Sequence, residues 1–200
     1  PIGELHMLLN KDPQSEKLRR TQAIANLLFQ FCGMPFSDLA HLEKSNLERG
    51  LLKYNRTKTG TPMSIEVLES AQNAIGGLYN KSDARSSGYP DYLFRILSGA
   101  YKRNEEGAYR EYQSALRRFN NELKSLSRKL RLHSPVTSYT LRHSWATTAK
   151  YRGVPIEMIS ESLGHKSIKT TQIYLKGFEL EERTKVNKLN YSYVCNFKML

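Results

Sequence analysis

Apolar residues recur three and four apart along most of the chain, and the breaks between these runs carry Gly, Pro or polar clusters. Leu18, Ile24, Leu27, Leu28 and Phe31 fall near one helical face, in a segment that Pro13 can open and that Gly33 and Pro35 close. Residues 2–9 form a short packed segment before it. A shorter helix is predicted over residues 37–44, with Ser37 as cap and Leu39 and Leu42 inward. The period then changes. Residues 51–56 and 62–67 read as strands joined around Thr59 and Gly60. Leu68, Ala71, Ile75 and Leu78 restore helical spacing. After a polar loop, a short apolar segment (YLFRIL) and a second loop comes the clearest helix, over residues 105–130. Tyr109, Tyr112, Leu116, Phe119, Leu123, Leu126 and Leu130 line one side of it, with Arg117, Arg118, Lys124, Arg128 and Lys129 around the others.

Further helices are expected over residues 141–152, from Pro155 to Gly164, and from a Ser167 cap through Tyr174 to near Gly177. A last helix over residues 179–191, with Glu181 and Lys185 ordered as an i,i+4 pair, leads into an apolar tail. The pattern is mainly α with a small antiparallel β-sheet, an α+β arrangement.

Charge adds a partner to this picture. Lys and Arg number 31 against 19 Asp and Glu, a formal net charge of +12. Such an excess calls for a polyanion, most simply nucleic acid, and for binding that weakens as salt rises. No apolar run reaches the length of a membrane span and no leader-like segment opens the chain, so a soluble cytoplasmic protein with no membrane partner is expected. Cys32 and Cys195 fit neither a zinc spacing nor a disulfide framework. Asp, Glu and His do not gather at ligand spacing, so neither a metal nor a cofactor is expected.

The candidate chemistry lies in SYTLRHSWATTAK and the residues after it. A helix over residues 141–152 places Arg142 in its first turn, where a guanidinium fork joins a helix end that already favours anions. His165 falls at a turn after Leu163 and Gly164, able to donate to an oxyanion in the right protonation state. His143, one residue on from Arg142, points elsewhere and reads as a supporting group. Trp145 and Ala146 read as core.

The order and spacing of these residues resemble the tyrosine recombinase (phage integrase) family. That family's pattern is H-x-x-R-H, then L-G-H, then a Tyr nine residues later. Leu141-Arg142-His143, Leu163-Gly164-His165 and Tyr174 in TTQIYL match it in identity and spacing. GMPFSDLAHLEKSNLERGLLKYNRTKTG is similar to the family's earlier region. The resemblance implies the DNA breaking-rejoining fold and site-specific recombination or integration on double-stranded DNA. Tyr174 would attack a scissile phosphate to give a 3′-phosphotyrosyl bond, and a 5′-hydroxyl would later reverse the step without ATP. Arg142 and His165 would donate to the non-bridging oxygens. Lys58, in NRTKTG, matches the family's hairpin lysine, which protonates the leaving oxygen.

The chain departs from the family at two places. Tyr139 stands where the first His of H-x-x-R belongs, giving a phenol that can hydrogen-bond a phosphate but carries no positive charge. The family's first arginine falls on Cys32, or on Pro35 in the G-x-R register, and the nearest arginines along the sequence are Arg20 and Arg49. Cys32 therefore favours a second reading, a catalytically impaired DNA-binding protein on the same scaffold. Asp38 reads as a helix-dipole carboxylate in preference to a group that orients the site. A basic helical RNA-binding domain would leave the Arg142, His165 and Tyr174 spacing unexplained. By the resemblance, residues 1–180 are a catalytic domain and 181–200 a C-terminal helix and tail that could dock on a neighbouring protomer. The family's N-terminal core-binding domain is expected to be absent, and a homo-tetramer on DNA to be the active assembly.

Overall fold

The computed structural model describes residues 2–79, 90–175 and 180–195. Among these, the helices are α1 (Ile2–Asn10), α2 (Glu16–Gln30), α3 (Phe36–Ala40), α4 (Glu69–Leu78), α5 (Glu106–Lys129), α6 (Ser138–Tyr151), α7 (Ile156–Ser162), α8 (Ile168–Tyr174) and α9 (Leu180–Cys195). The strands β1 (Leu47–Glu48), β2 (Leu51–Asn55) and β3 (Pro62–Glu66) form one antiparallel sheet in that order. Leu52 pairs with Ile65 and Tyr54 with Met63. Leu52 and Ile65 are buried while Lys53, Ser64 and Glu66 are exposed, the period-2 alternation of a half-covered sheet.

The fold matches the mainly α reading with a small sheet, and its differences are local. α2 starts after Ser15 rather than at Pro13. The helix expected over residues 37–44 splits into α3 and a 3-10 turn at Lys44–Asn46, because Glu43 makes a capping box with Asn46 and restarts the chain there. β1 had no signal of its own. The YLFRIL segment ties in through isolated bridges, Glu43 with Tyr92 and Tyr79 with Phe94. The expected end near Gly177 lies outside the residues described, and the Glu181 side chain of the expected pair with Lys185 is likewise not described.

Burial explains the packing. Leu27, Leu28, Leu39, Leu52, Leu123 and Leu126 are fully inaccessible and join α2, α3, the sheet and α5 in one apolar cluster. Phe36 stacks on Phe119 at 4.7 Å between ring centroids, holding α3 against α5. Tyr109 departs from the α5 stripe and is exposed, with Ala108 buried in its place. The basic residues Arg117, Arg118, Lys124, Arg128 and Lys129 are exposed. A smaller cluster holds Ala146, Ile159, Leu163 and Leu175. Leu141 belongs to the larger cluster and Ala146 to the smaller, so α6 passes from one to the other across Arg142. Among the described residues no helix is long and apolar enough to cross a membrane, and no group of His, Cys, Asp and Glu could hold a metal ion.

Candidate active site

α6 begins earlier than its sequence suggests. Thr137 accepts from the Thr140 backbone and the Thr140 side chain answers its N–H, a capping box that starts the helix at Ser138. Arg142 therefore sits in the second turn rather than the first. The helix end belongs to Ser138, Tyr139 and Thr140, and Arg142 binds through its side chain alone.

That side chain is 7% exposed. Arg142 Nη1 donates to the Gly33 carbonyl at 2.9 Å and Nη2 to the Leu163 carbonyl at 2.7 Å. Nη2 also lies 3.2 Å from His165 Nε2. Gly33 is required at its position: φ is +65°, and a Cβ there would meet the Arg142 Cα at 3.2 Å and the Trp145 Cβ at 3.1 Å. Burial, then the charge of Arg56, bring the Arg142 pKa down to about 10.

His165 is placed by the left-handed turn at Gly164 that ends α7. Its Nδ1 lies 2.8 Å from Thr171 Oγ1 on α8. Burial, and after it the charges of Arg142 and Arg56, lower the His165 pKa to about 4, so the ring is neutral at physiological pH.

Tyr174 closes the cluster from the end of α8. Its ring meets His143 edge-on at 5.3 Å between centroids, and Tyr139 and His165 at 5.9 Å each. The hydroxyl is buried without a hydrogen bond of acceptable geometry. Burial raises its pKa well above that of a free phenol; the neighbouring Tyr139 adds to the rise and Arg142 opposes it. Tyr139 itself is largely exposed. His143, read as a supporting group, touches the candidate nucleophile directly.

Arg56 escaped the sequence reading. It follows β2 and is 7% exposed. Its Nη1 donates to the same Leu163 carbonyl that Arg142 uses, and more weakly to the Gly164 carbonyl at 3.4 Å. Its Nε lies 2.8 Å from Asp38 Oδ2, an ion pair that falls short of hydrogen-bond geometry. Gly164 is needed for this approach as well, since a Cβ there would meet Arg56 Cδ at 2.9 Å. Asp38 is 3% exposed and its Oδ1 accepts from the Thr57 backbone at 3.1 Å. The dipole reading of Asp38 is thereby corrected: its carboxylate is spent on Arg56 and on the hairpin. The available signal was a basic residue at a strand end followed by Lys58, beside an Asp in an apolar α3.

Cys32 lies at φ +56°, beside the Gly33 that receives Arg142. Burial pushes its thiol pKa up. It lines a cavity of about 610 Å³ with Met63, Met158 and Glu161. Pro35 caps α3. Lys58 stands exposed at the hairpin turn, two residues beyond Arg56.

This geometry has relatives. Residues 4–180 match the Phage integrase family. Tyrosine recombinase XerD of Halalkalibacterium halodurans is 44% identical over 183 residues, covering 86% of this chain and 55% of that protein. Tyrosine recombinase XerA of Thermococcus kodakarensis is 29% identical over 176 residues, covering 86% and 56%. The chain thus spans about half the length of the curated relatives it matches. Among solved structures, XerH site-specific recombinase bound to its palindromic difH substrate superimposes with a TM-score of 0.63 at 19% identity, over 94% of this chain and 51% of that one. XerA recombinase gives 0.57 at 21% identity, over 99% and 62%. By the match along most of its length, and by the fold it shares with these recombinases, the chain belongs to the phage integrase family.

Proposed function

We propose that this chain is the catalytic part of a DNA strand-transfer enzyme working through a phosphotyrosyl intermediate. The observation that carries the reading is the convergence of Arg142, His165 and Tyr174 from α6, the end of α7 and α8 on one partly open site. The basic surface suits double-stranded DNA, as does the likeness to recombinases solved with DNA substrates.

Tyr174 attacks the scissile phosphorus. Its oxygen forms the new bond, the bond to the 5′ oxygen breaks, and Lys58 protonates that oxygen as it leaves. Arg142 stabilises the non-bridging oxygens. Arg56 supplies the second guanidinium at this site, from the sheet, where the family pattern has one at the position of Cys32. Tyr139 offers a phenolic donor from the first turn of α6. The binder reading rests on Cys32; a second guanidinium supplied by Arg56 favours the enzyme over it. Residues 1–180 form the catalytic unit. Residues 181–200 dock on a neighbouring protomer, and the working assembly is a tetramer on two duplexes.

The test is covalent trapping on a duplex nicked near the cleavage point, so that the released fragment diffuses away. A protein–DNA adduct is expected, and Tyr174→Phe abolishes it. An adduct that survives Tyr174→Phe, or none with any member of a pool of nicked duplexes of randomised sequence, refutes the reading.

A further inference from the structure

His165 holds both ring nitrogens in defined contacts. One faces Arg142 Nη2 at 3.2 Å and the other Thr171 Oγ1 at 2.8 Å. A guanidinium has five donors and no acceptor, so His165 Nε2 must accept from Arg142. Nη2 has a second hydrogen for the Leu163 carbonyl, and both bonds are made at once. A neutral imidazole carries one hydrogen, which then resides on Nδ1 and points at Thr171 Oγ1.

Thr171 is completely buried, with an exposure of 0%. It precedes Tyr174 by three residues on α8, so the two side chains share a helical face. The helix that presents the nucleophile thereby also holds the histidine. The orientation of His165 and the delivery of Tyr174 are one mechanical event.

We infer that Thr171 is a positioning residue, keeping the His165 hydrogen on Nδ1 so that Nε2 is the atom that takes a proton at the reacting centre. When a phosphate draws Arg142 away, the Nε2 lone pair faces the site. The proton lost by Tyr174 Oη as its bond to phosphorus forms then passes to Nε2, and returns to the tyrosine oxygen when that bond breaks in the reverse step. This role rests on the strand-transfer reading. Tyr139, which replaces the family's first histidine, cannot fill it with a neutral ring nitrogen.

The ring can be read without any DNA. In ¹⁵N-histidine spectra of the unliganded protein above pH 6, His165 is expected as the Nδ1–H tautomer. Thr171→Val keeps the branched shape and removes the hydroxyl. With Arg142 still donating to Nε2 in the unliganded protein, it should leave the Nδ1 hydrogen without its acceptor and shift the Nδ1 resonance, and slow single-turnover cleavage by about a hundredfold, the low end for general acid–base catalysis. DNA affinity and melting temperature should change little, and Thr171→Ser should restore both ring and rate. A wild-type ring protonated on Nε2 overturns the inference. So does a Thr171→Val protein with an unchanged ring spectrum or an unchanged cleavage rate. The wild-type spectrum decides the matter even where the valine variant does not fold. The two readings fail separately: strand transfer fails when no wild-type adduct forms, whatever the ring shows, whereas the Thr171 role fails on the ring while the adduct still forms.

Discussion

Arg56 and Arg142 donate to the same carbonyl oxygen, that of Leu163 at the end of α7, one reaching it from the sheet and the other from α6. Two cations gathered on one uncharged acceptor repel each other, which is one reason the Arg142 pKa falls. An anion placed between them would relieve that repulsion.

Replacing Arg56 tests whether the second guanidinium comes from the hairpin. Arg56→Met should lower cleavage by roughly a hundredfold to a thousandfold, the usual effect of losing one transition-state donor. It also strands the buried Asp38 carboxylate, at a cost of about 3–5 kcal/mol. Adding Asp38→Asn removes the charge and keeps an acceptor for Thr57. The double variant should regain most of the thermal stability, read by calorimetry, and none of the cleavage. Recovery of both would mean that Arg56 serves only the fold.

Restoring the family's arginine gives the converse experiment. Cys32→Arg adds a cation near Arg142 and Arg56 where, among the described residues, no carboxylate other than Asp38 is paired with them. Cleavage rates measured side by side should rise less than threefold, and the melting temperature should fall. A hundredfold gain in cleavage would show that the site lacks a donor that Arg56 does not provide.

Stability should depend on pH through His165. Its folded-state pKa of about 4 lies below the ordinary histidine value, so between these values the unfolded chain binds more protons than the folded one. Stability therefore rises from about pH 4 to about pH 6.5 and levels off above. Burial lowers the His41 pKa too and gives a slope of the same sign. Melting temperatures of His165→Gln across this window should show a reduced slope, with the His41 share remaining. An unchanged slope contradicts the burial of His165 beside two arginines.

Glycine at the end of α7 has a specific spatial job. Gly164 and Gly153 both sit in the left-handed region, but a Cβ at Gly164 would meet Met63 Sδ at 2.8 Å and Arg56 Cδ at 2.9 Å, while one at Gly153 meets nothing within 4 Å. Both alanine variants should lose roughly 1–2 kcal/mol from backbone strain. Only Gly164→Ala should also reduce cleavage, by displacing Arg56. Equal cleavage in the two variants would separate the Arg56 contact from function.

The helices and the hairpin were legible because their apolar periods are strong and their ends carry Gly, Pro or a hydroxyl cap. Ser167 caps α8 as expected, its hydroxyl accepting from the Lys169 backbone N–H. Arg142, His165 and Tyr174 were legible through their order and spacing, which resemblance to a family supplied. Arg56 and Asp38 were not. Their partnership joins residues far apart in the chain, and a charged pair at 7% and 1% side-chain exposure leaves no periodic trace. Thr171 was hidden for a related reason: one threonine among several in a polar helix gains meaning only when the ring beside it is known. The turn of Arg142 was misplaced because the Thr137–Thr140 capping box looks like loop composition.

The partners of Arg142 are backbone carbonyls and an imidazole; among the described residues no carboxylate hydrogen-bonds to it. A newcomer bearing full negative charge thus displaces only weak, neutral competitors. The residue is held in place like a tool on a rack, its grip firm enough for order and loose enough for release.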